Sequence, residues 1–224
     1  MSMSLAGKRV VLVGGASGIG AAIGALAAEL GAEVIVGSRR DGSLDVRDEA
    51  SVEAFFTKVG AFDHLAITAG DWDAPMRGQS IGTLDLATIK KSLDVRFWGA
   101  IACVKHASHH IAKSGSITLT SGMLVHRPMK GMPVAAAMGG ATELLAKGLA
   151  VDLAPIRVNA VCPGLVLTEI VQQMPEAYRN AAVANQPLPR TATPAEAAQA
   201  YVYSMVASYV TGQVLPVDGG GLLV

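Results

Sequence analysis

The run Arg9-Val10-Val11-Leu12-Val13 is short and β-rich, and it ends in Gly14-Gly15-Ala16-Ser17-Gly18-Ile19-Gly20. Residues 18–30 then carry apolar side chains at helical spacing. A strand, a glycine turn and a helix start in immediate succession constrain this chain more than any other feature. The turn must be tight, and the helix must begin at the carboxyl edge of the strand. Its unpaired N–H groups and the positive end of its dipole then face outward, which makes a preassembled anion site. A glycine turn alone is weak evidence, because many turns are glycine-rich. The spacing Gly14-x-x-x-Gly18-x-Gly20 at the first strand–helix junction points to dinucleotide phosphates, with Gly14, Ala16, Ser17, Gly18, Ile19 and Gly20 as the contacts.

The alternation continues. Residues 33–36, 44–46 and 64–68 read as a second, third and fourth strand, with a helix over 49–59 that places Val52, Phe55, Phe56 and Val59 on one face. A long helix is expected over 85–112, strands over 116–120 and 157–161, helices over 134–153 and 194–207, and a last strand over 214–217. Such alternation predicts an α/β fold, a parallel sheet with helices on both faces, in a single domain spanning 1–224. Residues 168–193 break the pattern with Pro175, Pro187 and Pro189, and read as a lid or insertion.

Hydrophobic residues make up 51% of the 224, and Lys+Arg balance Asp+Glu at 18 each. That composition gives no electrostatic reason to bind nucleic acid or an anionic membrane. The first residues run into a strand without a basic region and long apolar stretch, and no uncharged apolar run approaches the ~18 residues of a membrane span. Cys103 and Cys162 form no disulfide framework and read as free buried thiols, so a cytoplasmic location is expected.

At the end of the second strand an acidic residue would bond a ribose 2′-hydroxyl and select NAD. Here the residues are Ser38-Arg39-Arg40. Two guanidiniums can pair with a 2′-phosphate, so the expected cofactor is NADP(H). The alternative is a merely solvated turn.

Taken together, these residues resemble the short-chain dehydrogenase/reductase family along nearly the whole chain. Asp45-Val46 resembles its adenine-contacting Asp-Val, and Thr68-Ala69-Gly70 the end of its Asn-Asn-Ala-Gly segment. Residues 156–164, ending Cys162-Pro163-Gly164 and continuing through Leu165 and Val166 to Thr168, resemble its nicotinamide-side motif; Thr211 to Gly220 resembles its C-terminal signature. The resemblance implies a single Rossmann-type, doubly wound domain, a homotetramer or homodimer, and a small-molecule substrate. The family's helix between the second and third strands has no room here, since only 37–44 connect them.

The resemblance fails where it carries chemistry. Aligned back from Val151-Asp152-Leu153-Ala154-Pro155, the family's tyrosine acid falls on Ala135, its lysine on Gly139 and its serine on Gly122, or on Ser121 with a one-residue gap. Its asparagine falls on Arg96. Four candidates could replace the lost groups. Arg96 could hold ribose hydroxyls or an oxyanion but is a poor acid, with an outward ion pair as the alternative. Ser121 could orient substrate or simply cap a turn. His126 titrates in a useful range or is a surface loop residue. Tyr178 in the lid could swing in; Tyr201, Tyr203 and Tyr209 read as late-helix and core residues. Gly139-Gly140 inside a helix costs about 1 kcal/mol per residue relative to alanine, which close packing or room for a ligand would explain. His106, His109 and His110 lack carboxylate neighbours in sequence and carry no metal expectation. Asp71 and Asp73 flank Trp72 at the edge where such sheets bind ligands, as entrance residues or a solvated loop.

An NADP(H)-dependent oxidoreductase with a non-standard site, reducing a small carbonyl or imine-like substrate, is the leading expectation. A cofactor-binding sensor or partner subunit without turnover is the second, and a redox-neutral enzyme using the same pocket the third.

Overall fold

The computed structural model describes residues 3–70 and 81–224, so Asp71, Trp72 and Asp73 lie outside the described residues. Six parallel strands form one sheet: β1 (Arg9–Val13), β2 (Glu33–Gly37), β3 (Phe62–Ile67), β4 (Ile111–Thr120), β5 (Arg157–Pro163) and β6 (Val214–Val217), in the order β2-β1-β3-β4-β5-β6. The helices are α1 (Gly18–Glu29), α2 (Glu49–Val59), α3 (Leu86–Leu93), α4 (Gly99–Ala107), α5 (Pro133–Asp152), α6 (Glu169–Gln172), α7 (Glu176–Val183) and α8 (Pro194–Val206).

Strand periodicity builds both faces at once. Val10 and Leu12 of β1 point into a core with Ile23 and Ala27 of α1 and Tyr201 and Val202 of α8. Val11 and Val13 point the other way, into a core with Phe56 of α2, Cys103 and Val104 of α4 and Ala146 of α5. The sheet is therefore doubly wound, as expected. The chain leaves β1 toward β2, then crosses back to β3 on the other side of β1. At this reversal the loops part, and a crevice opens above the carboxyl ends of the strands.

Three expectations need correction. Residues 44–46 form no strand: the N–H groups of Ser43 and Leu44 bond back to Ser38 O (3.1 and 3.2 Å), so they are spent inside their own loop. Leu44 is buried and plugs the space beside Gly37, where an added Cβ would lie 2.7 Å from it. The family-type helix between β2 and the next strand is indeed absent from 38–48. Nor is 85–112 one helix. It breaks into α3, a π turn over Asp94–Trp98, and α4, which ends at Ala107; His109 and His110 occupy a turn before β4 begins at Ile111. Finally, only Tyr201 is a core tyrosine, since Tyr203 is 44% exposed and Tyr209 fully so.

Helix α5 has 20 residues with mean hydropathy 1.3, and among the described helices it alone is long and apolar enough to cross a membrane by length and composition. It packs on β5 and β4 in this fold. Cys103 and Cys162 are buried and free. Residues 168–193 leave the sheet and return to their point of departure, where Leu167 N donates to Ala192 O (2.8 Å) and Ala192 N to Leu165 O (3.0 Å). Between these ends lie α6 and α7.

Candidate active site

The crevice is a cavity of about 1150 Å³. All eighteen positions expected to touch a cofactor line it, from Gly14 to Thr168. The glycines are fixed by contact. Gly14 has φ +87°, and a Cβ there would lie 2.5 Å from Ala69 N; a Cβ on Gly20 would lie 2.3 Å from Gly14 O. The turn therefore passes closer to its neighbours than any side chain allows. Ser17 caps α1 in an extended conformation without a side-chain bond to the helix. The first N–H groups of α1 are thus left for an anion, and the cradle fits a dinucleotide pyrophosphate. Gly18 faces Thr168, whose Cγ2 would lie 3.1 Å from a Cβ there, which joins the nicotinamide-side motif to the glycine turn.

At the other end Ser38, Arg39 and Arg40 line the cavity together with Arg47, which the sequence reading missed. Arg47 Nε donates to Asp45 Oδ1 (2.9 Å), and this bond holds the Asp45 carboxyl down at about 2. Arg40 reaches across to Glu169 in the first turn of α6 (3.5 Å), an exposed pair that contributes little and is easily exchanged for another anion. Among the described residues, five basic side chains, Arg39, Arg40, Arg47, Arg96 and Lys130, line the cavity against two acidic ones, Asp45 and Glu169. The chain is neutral, yet this described lining is cationic.

The chemical half is built differently. Arg96 sits in the π turn between α3 and α4, a distortion frequent at functional sites because it re-aims a side chain. Its guanidinium lies over Gly70, where a Cβ would be 2.6 Å from Cζ, and it lines the cavity rather than facing solvent. Ser121 also lines the cavity, but its hydroxyl turns back and donates to Glu143 Oε1 (2.8 Å). His126 is not among the cavity-lining residues. Its Nε2 lies 3.1 Å from the same Glu143 oxygen and its side chain is 42% exposed, so it fits the surface-loop alternative. The Cys162 thiol completes this group, within 4.8 Å of the His126 and Glu143 ligand atoms. Burial pushes that thiol up to about 11, so it meets the carboxylate as a neutral group. Glu143 is the residue sequence reasoning overlooked: it ties the turn after β4 to α5.

The emptied positions are equally defined. Ala135 is buried and lines the cavity. A Cβ on Gly139 would lie 2.5 Å from Val125 Cγ2, so this glycine allows the close packing of α5 against the turn Met123–Val125. A Cβ on Gly122 would meet nothing within 4 Å. Of the tyrosines, Tyr178 on α7 lines the cavity; Tyr201 lies in the core, where burial raises its pKa and its OH pairs with Thr120 Oγ1 (2.8 Å). His106 is paired after all, its Nε2 3.1 Å from Glu49 Oε1, a partner 57 residues away that the sequence did not reveal.

A family model described as enoyl-(acyl carrier protein) reductase matches residues 13–221. The short-chain dehydrogenase/reductase ucsE of Acremonium sp is 34% identical over 255 residues, covering 96% of each chain. The chain belongs to the short-chain dehydrogenase/reductase family. Another member, the cis-4-hydroxycyclohexanecarboxylate dehydrogenase of Sinomonas cyclohexanicum, is also 34% identical, over 98% of both chains. Among solved structures, a small-chain dehydrogenase in complex with NADPH is 39% identical and superimposes with a TM-score of 0.91, over 97% of this chain and 99% of that one. As a short-chain dehydrogenase/reductase the chain is an oxidoreductase with a Rossmann-type fold and a nicotinamide cofactor.

Proposed function

We propose that this oxidoreductase uses NADP(H) and reduces an activated carbonyl group without a tyrosine acid. What carries the reading is the convergence of the uncapped α1 terminus, Arg39, Arg40 and Arg96 on one cavity. The short-chain dehydrogenase solved with NADPH supports the cofactor choice by likeness. Gly14 to Gly20 would hold the pyrophosphate, Arg39 and Arg40 a 2′-phosphate, Asp45 and Val46 the adenine, and Pro163 to Thr168 the nicotinamide side. The cofactor supplies a hydride to an electrophilic carbon.

The remaining work falls to the chain. Hydride addition to a neutral ketone leaves negative charge on oxygen. Arg96 remains protonated, so it stabilises that charge instead of surrendering a proton, which comes from water. Ser121 holds its proton toward Glu143 and orients the turn behind the substrate. A carbonyl already polarised by a neighbouring carbonyl depends least on an acid. A cationic iminium would meet Arg96 as a like charge, so the carbonyl is favoured over the imine-like alternative. Residues 168–193 act as a lid that selects substrate. The apolar outer face of α5, with Leu144 69% and Val151 81% exposed, is where we place self-association into a dimer or tetramer.

Thermal shift with NADPH and NADH, followed by NADPH oxidation against simple ketones, 1,2-diketones and cyclic imines, tests this. NADPH should stabilise more than NADH, and diketones should turn over fastest. Equal stabilisation by NADH defeats the cofactor assignment. Failure of every substrate to oxidise NADPH defeats the reductase assignment.

A further inference from the structure

Five of the chain's nine methionines, Met123, Met129, Met132, Met138 and Met174, line the cavity, none of them at a position expected to hold the cofactor. They come from four places: the turn after β4, the loop before α5, α5 itself and the link between α6 and α7. The fold, not local sequence, gathers them.

The hydroxyls in the same wall are already engaged. Ser121 donates to Glu143 (2.8 Å), Thr142 to Met138 O (3.1 Å) and Thr120 to Ile67 O (2.7 Å). Beside the polar ends of Lys130 and Gln186, this wall offers a ligand mainly thioethers and methyls, with Tyr178 the one aromatic ring among the described lining residues. Thioether sulfur is polarisable and makes favourable contacts with ring edges, beyond the burial any apolar group would gain. The cavity, at about 1150 Å³, exceeds the roughly 300–1,000 Å³ of an ordinary ligand pocket, which leaves space for a ring system beside a dinucleotide.

We infer that the substrate half of the cavity recognises a planar, aromatic ring system through its methionine lining. This rests on the reading that the other half holds NADP(H), and it specifies what the carbonyl is attached to. An open-chain or fully saturated substrate gains apolar burial only; an aromatic ring fused to the reacting carbonyl's ring gains burial, sulfur contacts and the Tyr178 face.

The test compares 2-tetralone with 2-decalone, bicyclic ketones of one skeleton that differ in having an aromatic ring. Their dissociation constants are measured by calorimetry on the full chain, with and without NADPH. The aromatic ketone should bind at least about 5-fold more tightly. Met132→Leu and Met138→Leu conserve volume, and Met123→Leu gives a third variant on a different element should either of these fold poorly. Each should narrow the ratio between the two ketones by about 2-fold or more. Equal affinities in the parent chain, or a ratio unchanged in all three variants, overturns the inference. Absence of an NADPH-induced thermal shift overturns the cofactor reading instead, while the ketone ratio measured without cofactor still decides the ring preference.

Discussion

At the scale of single residues, Arg96 and Glu143 carry most of the argument. Arg96 is expected from the resemblance to stand at the family's asparagine position, and its guanidinium lies over Gly70 and lines the cavity. Losing one oxyanion donor in such sites costs about 10²–10³-fold. Arg96→Ala should therefore lower kcat/KM for the best carbonyl substrate by at least about 100-fold, with NADPH affinity changed only a few-fold. Steady-state kinetics beside a cofactor titration checks this, and a change of less than 3-fold in kcat/KM removes Arg96 from the mechanism. Its identity was legible, because Asp94-Val95 precedes it. Its aim was not, because a π turn is a matter of backbone register. Glu143 was illegible altogether: it is 22 residues from Ser121 and 17 from His126, and only the packing of α5 beside β4 brings the three together.

At the scale of elements, α5 shows how the chain is packed where the resemblance would put a tyrosine–lysine pair, at Ala135 and Gly139. The helix presses on Met123–Val125 through Gly139, and a lysine there would drive its Cβ into Val125. The double variant Ala135→Tyr/Gly139→Lys should thus lose stability, by about 1–3 kcal/mol as for overpacked cores, and gain no alcohol oxidation. Adding Val125→Gly should recover part of the melting temperature. Full stability of the double variant on its own would show that the packing is not restrictive. The predicted helices at 49–59, 134–153 and 194–207 agree with α2, α5 and α8 within one residue at either end, since each has a clear apolar stripe or Pro and cap signals. The segment 85–112 was misread because its apolar periodicity continues through the break. Residues 44–46 were misread because a buried leucine in a short apolar run looks the same in a loop as in a strand.

At the scale of the whole molecule, the sheet holds one pH-sensitive group at its centre. His64 on β3 is buried, with Nδ1 2.9 Å from Ser116 Oγ. Burial lowers its pKa from 6.5 to about 4; Asp63 opposes this, and Arg157 and Lys8 add to it. The unfolded chain therefore binds the proton first as pH falls. Stability should be constant above about 6.5 and decline as pH drops through about 4, by up to roughly 3 kcal/mol. The paired carboxylates Asp45 and Glu196 are held down at about 2, so their own slope enters mainly below about pH 4.5, where the unfolded chain takes up their protons. Melting temperature against pH should show this slope, and His64→Gln should flatten it between about pH 6.5 and 5; a parent profile already flat over that range contradicts the assignment.

The sequence by itself determined the parallel α/β layering and the anion-binding turn. Both are local: side-chain periodicity sets which faces are buried, and glycine spacing sets where the backbone can approach a phosphate. It also raised the expectation that the family's tyrosine acid is replaced, because residue types can be compared without coordinates. Only the tertiary structure decided that His126 pairs with Glu143 outside the cavity lining, that the described lining of a neutral chain's cavity is cationic, and that five scattered methionines line one cavity. These are properties of the space between elements. That space is fixed by how helices and loops pack across a sheet, and no spacing along the chain encodes it directly.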